Sequence, residues 1–117
     1  MPYTNGFGHS MDLTSHFGDH VLLKKEFPHI TTEAEYLYYA DKFLGEPIDP
    51  TTTLWCQRKY KDGSLGDFVR YNQVTQEYGI LRTDNVIRSY YIPNPLEHGF
   101  PTNLDYFNWD CNRRKRR

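Results

Sequence analysis

The stretches Leu65-Gly66-Asp67-Phe68-Val69-Arg70-Tyr71, Gln76-Glu77-Tyr78-Gly79-Ile80-Leu81-Arg82 and Val86-Ile87-Arg88-Ser89-Tyr90-Tyr91-Ile92 decide the fold. Each is rich in β-branched and aromatic residues and alternates with period two, the spacing of a strand. Asn72-Gln73-Val74-Thr75 and Thr83-Asp84-Asn85 separate them and are turn-forming. Upstream, Thr51 to Tyr60 reads as a further strand, with Leu54, Cys56 and Tyr60 on one face and Trp55 and Gln57 on the other. Lys61-Asp62-Gly63-Ser64 turns it into Leu65–Tyr71. Connections this short join antiparallel neighbours. The expectation is a four-stranded antiparallel meander, ended by Pro93 and Pro95.

Two helices are expected before the meander. Leu13, Phe17 and Val21 fall at helical spacing between Asp12 and Lys25, and Phe27-Pro28 ends that element. Thr32 followed by Glu35 is a capping box, and Glu33 and Glu35 suit the positive end of the helix dipole. Ala34, Leu37, Tyr38 and Phe43 carry a helix over residues 32–44, with Gly45 expected as its left-handed stop. The whole is an α+β domain, two N-terminal helices followed by a four-stranded antiparallel sheet. Residues 1–11 read as a flexible leader and 12–111 as a single domain. Phe100, Tyr106, Phe107 and Trp109 dock the end of that domain, and 112–117 hang beyond as a basic tail.

Composition narrows the classes. The chain has 117 residues, 16% of them aromatic, which argues for a folded core and against disorder. The formal charge of −1 is an average of unlike parts. The last five residues are all basic; without them nine basic residues face fifteen acidic ones, a balance of −6. Apolar runs such as Val21-Leu22-Leu23 are too short to span a bilayer, and the N-terminus has no signal-peptide pattern. Cys56 and Cys111 form no CxxC pair; one disulfide is open to them, but two unpaired thiols are the expectation.

Several residues can carry chemistry. His16 and His20 lie one helical turn apart, and Lys24 continues their row. Imidazoles titrate near neutrality and suit proton transfer; the plain alternative is one solvated and one locally bonded histidine. Two histidines without further ligands or an HExxH pattern do not close a metal site, and no cofactor is called for. Arg58 and Arg70 are guanidinium forks on strands, able to hold phosphate or to decorate a solvated face. Ser89 and Tyr91 lie two apart on one strand face and can contact one anion. The basic tail can bind phosphate backbones or hang free in solvent.

Taken in order, His16-Phe17-Gly18-Asp19-His20, Thr32-Glu33-Ala34-Glu35-Tyr36-Leu37, Gly66-Asp67-Phe68-Val69-Arg70-Tyr71-Asn72, Gln76-Glu77-Tyr78-Gly79-Ile80-Leu81, Val86-Ile87-Arg88-Ser89-Tyr90-Tyr91-Ile92-Pro93 and His98-Gly99-Phe100-Pro101-Thr102-Asn103-Leu104-Asp105-Tyr106-Phe107 resemble a known group. They are similar to the C-terminal toxin domains of bacterial polymorphic toxins of the filamentous-haemagglutinin (contact-dependent-inhibition) and Rhs types, in the barnase/EndoU/colicin E5–D/RelE-like ribonuclease group. The resemblance spans roughly residues 12–108. It implies a metal-independent endoribonuclease, tRNA favoured, in which the 2′-OH attacks the adjacent phosphate to leave a 2′,3′-cyclic end. It also implies a cognate immunity protein, and export within a larger protein to act in the cytoplasm of a target cell. Carried over, His20 and His16 are the histidine part, Arg70 neutralises the phosphate, and Ser89 and Tyr91 bond its oxygens. Tyr71 would stack on a base, and Lys24, Arg58 and Arg88 would bind substrate, with a positive cleft formed by Arg58, Arg70, Arg88 and the tail. The family pattern has Thr where this chain has Ser89. In-line displacement needs base and acid on opposite sides of the phosphate, so one of two same-face histidines is expected to be structural. A non-catalytic RNA- or protein-binding module on the same fold is the alternative, and a metal-dependent hydrolase using His16 and His20 a weaker one.

Overall fold

In the computed structural model, which describes residues 3–115, helices precede a four-stranded antiparallel sheet, as the alternation predicts. Helix α1 spans Ser10–Phe17 and runs directly into a π-helical turn, Gly18–Leu23. Helix α2 spans Glu33–Gly45 and starts with the expected capping box between Thr32 and Glu35. The strands are β1 (Thr53–Tyr60), β2 (Leu65–Asn72), β3 (Tyr78–Leu81) and β4 (Ile87–Tyr91). Two further helices follow, α3 (Pro95–His98) and α4 (Asn103–Asn112). Strand β5 (Arg114–Lys115) pairs in parallel with β1, so the sheet order is β4-β3-β2-β1-β5.

The sheet is packed on both faces. Against one lies α2 with α1, around Tyr36, Ala40, Phe43, Leu44, Ile87 and Tyr90. Against the other lies α4, whose Phe107 packs with Val69, Tyr71, Tyr78 and Ile80. Gly79 lets α2 approach the sheet: a Cβ there would meet the Leu44 side chain at 2.7 Å. Gly45 is not the left-handed stop expected of it. It stays helical, and the chain leaves α2 through extended Glu46. Glycine is needed there for space, because a Cβ would lie 2.0 Å from the Cβ of Tyr3.

Both ends of the domain differ from expectation. Residues 3–9 are not a loose leader. Thr4 donates from its N–H (2.8 Å) and hydroxyl (2.6 Å) to Oδ1 of buried Asp41, and Phe7 bridges to Ile87. At the other end, the first residues of the basic tail are built into the body. Asn112 closes α4, Arg113 bonds Asp110 and lies over Trp109, and Arg114–Lys115 form β5. Arg116 and Arg117 lie outside the described residues.

Cys56 on β1 and Cys111 on α4 are joined in a disulfide, correcting the expectation of two free thiols. The pairing depends on α4 folding back over the sheet, which brings the two Cα atoms to 6.0 Å. The bond closes a loop of sequence separation 55, so reduction should cost about 2–4 kcal/mol by releasing chain entropy in the unfolded state. Thermal melts with and without dithiothreitol should differ by at least about 5 °C; coincident melts would show that the bond adds nothing.

Candidate functional site

Among the candidate residues, those that come together do so at the open edge of the sheet beside β4. The π-helical turn widens the helix where His20 sits, and such turns frequently mark functional sites. Four rings form a column there, with His16, His20 and Tyr91 stacked and Phe7 tilted against His16. Phe7 and His16 have centroids 5.4 Å apart, His16 and His20 5.8 Å, and His20 and Tyr91 5.4 Å. A cavity of about 110 Å³ opens beside the column, lined by His20, Lys24, Glu26, Tyr91, His98 and Tyr106 among others.

His20 is 8% exposed and oriented by a carboxylate. Its Nδ1 lies 2.9 Å from Oε2 of Glu26, while Oε1 of Glu26 accepts the Ile92 N–H at 2.7 Å. A carboxylate can only accept, so Nδ1 carries a proton, and in the neutral ring Nε2 is the nitrogen with the lone pair. Nε2 makes no hydrogen bond among the described residues; Asp19 Oδ2 is 3.7 Å away. Lys24 lies 3.3 Å from Glu97 and 3.5 Å from Asp19. Desolvation opposes its charge, but the Glu97 hydrogen bond and the carboxylates of Asp19, Glu97 and Glu26 outweigh it and raise its pKa. Tyr91 and Tyr106 share a hydroxyl contact at 2.9 Å. Burial, then Tyr106, pushes the Tyr91 phenol well above its ordinary value, so it keeps its proton.

His16 is held differently. Its ring lies between Phe7 and His20, and burial followed by His20 lowers its pKa, keeping it neutral. His98, across the cavity, uses both ring nitrogens: Nδ1 accepts from the Phe100 N–H at 3.1 Å and Nε2 lies 2.8 Å from Asn103 Oδ1. It braces the loop and has no nitrogen left for substrate.

The remaining candidates are elsewhere. Arg70 points to the α2 face, where Nη1 donates to the carbonyls of Phe43 (3.1 Å) and Glu46 (2.7 Å) and closes the end of that helix. Arg58 makes a two-pronged pair with Asp110 at 2.9 and 2.8 Å and also reaches Asp67. Arg88 binds Asp67 at 2.8 Å. The expected cleft of Arg58, Arg70 and Arg88 is therefore not formed: two of the forks are held by carboxylates and the third by helix carbonyls on the opposite face. Tyr71 is 3% exposed under α4 and donates to Gln76, so it cannot stack on a base. Ser89 stands two residues from Tyr91 on the same face but outside the lining of the cavity.

Strict alternation also failed along β4. Ile80 pairs with Ser89 and Leu81 with Ile87, so Arg88 is an extra residue in a bulge. The bulge turns Ile87 into the α2-side core with Tyr90 and frees Arg88 for Asp67. Glu26 was overlooked because it is remote from Ile92 in sequence. Only its place six residues after His20, past the helix end, hinted at a partner.

Among the described residues no group of three or more His, Cys, Asp or Glu is placed to hold a metal ion. No helix among them is long and apolar enough to cross a membrane. Compared with family models and with curated proteins, the chain matches none.

Proposed function

We propose that the chain is a metal-independent endoribonuclease domain of a bacterial toxin. The observation that carries this reading is His20, with Nδ1–H fixed on Glu26 and an unbonded Nε2 at a cavity that also holds Lys24 and the Tyr91–Tyr106 hydroxyls. Nε2 takes the 2′-OH proton, and the 2′ oxygen attacks phosphorus. The P–O5′ bond breaks, leaving a 2′,3′-cyclic phosphate, and the 5′ oxygen takes a proton from water on the side opposite His20. The charged Lys24 and the two phenols stabilise the phosphorane oxygens. His16 is a positioning residue that holds the His20 ring by stacking. The Cys56–Cys111 disulfide suits an exported chain. Transfer RNA is the favoured substrate, and an immunity protein the expected partner.

Incubation with total tRNA in excess EDTA should give discrete fragments ending in cyclic phosphate and 5′-OH. Intact tRNA would remove the proposal.

The charge distribution favours one other reading, a non-catalytic module that binds RNA or protein. Asp19, Glu26 and Glu97 crowd Lys24, and Arg58 and Arg88 are held by carboxylates of the fold. That module would retard tRNA in a gel, or capture a protein partner, without fragmenting the RNA.

A further inference from the structure

A second cavity, of about 440 Å³, is separate from the one beside His20. It opens on the α2 face, between the Phe27–His29 loop, the C-terminal half of α2 and the ends of β1 and β2. Its volume falls in the range of small-molecule sites. The two cavities meet at Ile92, which lines both. Glu26 links them physically: one oxygen holds His20 and the other holds the Ile92 N–H, and the next residue, Phe27, lines the larger cavity.

The walls have a recognisable chemistry. His29 and Tyr39 form a corner of perpendicular rings, centroids 5.0 Å apart and planes at 87°. A flat heterocycle can stack on one ring and meet the edge of the other. Lys42 has no ion pair among the described residues. Arg70 spends only Nη1 on the α2 carbonyls, which leaves Nε and Nη2 for an anion. Thr52, Thr53 and Asn72 add donors and acceptors. Of the three carboxylates in the lining, Glu77 accepts from Tyr90 and Thr75 and Asp49 from Thr51, while Glu46 can accept from a sugar hydroxyl. Two cations face three carboxylates, a formal balance of −1, so an anion is held here only by direct bonds from Lys42 and Arg70, and a polyphosphate is disfavoured.

We propose that this cavity is a nucleotide subsite, taking one nucleoside monophosphate unit of RNA with its base in the His29–Tyr39 corner and its phosphate at Lys42 and Arg70. The identity of the occupant rests on the ribonuclease reading, whose reacting phosphate lies one cavity away. In this arrangement the subsite selects single-stranded RNA, because a paired base cannot enter the corner.

The test is titration of the intact chain with the four 3′-nucleoside monophosphates, with inorganic phosphate alone and with ATP, followed by amide chemical shifts. Saturable monophosphate binding is expected, with shifts at His29, Tyr39 and Lys42. Tyr39→Ala and Lys42→Ala should each weaken it about tenfold or more; Lys42→Ala should keep the wild-type melting curve, and Tyr39→Phe, which keeps the ring against the core, should keep both the curve and the binding. His20→Ala should bind as well as wild type. Monophosphate binding by a wild-type chain that leaves tRNA intact upholds the subsite and overturns the ribonuclease. Absence of saturable monophosphate binding overturns the subsite whether or not RNA is cut. So does equal binding of inorganic phosphate with no change at Tyr39, or tighter binding of ATP.

Discussion

Asp110→Ala should lower the stability of the fold by about 3–5 kcal/mol, the cost of breaking a buried ion pair on one side. Asp110 is 0% exposed on α4. Its carboxylate takes both prongs of Arg58, the Tyr78 hydroxyl at 2.6 Å and Arg113 Nε at 3.1 Å. Removing it strands a guanidinium and a phenol in the interior, away from water that could replace the lost bonds. It also loosens the C-terminal half of α4, which then depends on the disulfide and Phe107, while Asn103 and Tyr106 still hold its first turn. Burial alone would raise the Asp110 pKa, but the bonds from Arg58 and Tyr78 outweigh it and hold it below the usual carboxylate range. A group with a lowered folded pKa contributes its full stabilisation above the unfolded value and loses it as pH falls through the folded one. Wild type should therefore lose stability on acidification below the usual carboxylate range, and the variant should lose less there. Urea unfolding from pH 7 down to about pH 2 measures both effects. A loss under about 1 kcal/mol at pH 7 would show that the cluster behaves like a surface pair. The double variant Arg58→Met, Asp110→Leu should recover part of the loss, because the more deeply buried guanidinium leaves with its carboxylate, while Arg113 and the Tyr78 hydroxyl still lose their partner.

Loss of cleavage by about 10²–10⁴-fold is the expected result of His20→Ala, the usual worth of a general base. The fold should survive, since Glu26 keeps its bond to the Ile92 N–H. The stability cost should stay near 1–2 kcal/mol. His16→Ala should cost much less activity, because His16 touches the site only through ring stacking. Glu26→Gln separates positioning from packing. It keeps the shape but removes the charge that fixes the His20 tautomer, so kcat should fall with KM little changed. Rates on a defined tRNA, with melting curves for each variant, decide the matter. Full activity in His20→Ala would remove His20 as the base and leave the binding module as the better reading.

The helix starting at Thr32 and the strands from Thr53 to Tyr91 were legible because their signals are local. A capping box needs residues three apart, and alternation needs residues two apart. Helix α4 was not read as a helix because its buried positions are Asn103, Phe107 and Asp110, so the usual apolar stripe is absent. Its start was nonetheless written in Thr102 and Asp105, whose capping bonds the structure contains. The grouping of His16, His20, Lys24 and Tyr91 combined a local helical row with one strand residue, and the fold does bring them together.

What the sequence determined alone was the order of the first two helices and the four antiparallel strands, since hydrophobic period and turn chemistry act over a few residues. What only the tertiary structure decided was the fate of each charge and thiol. Arg58 finds its carboxylate 52 residues away and Arg88 finds Asp67 21 residues away. Arg70 finds helix carbonyls, and Cys56 finds Cys111. An ion pair or a disulfide depends on distance in space, and that distance exists only once α2 and α4 have closed over the two faces of the sheet.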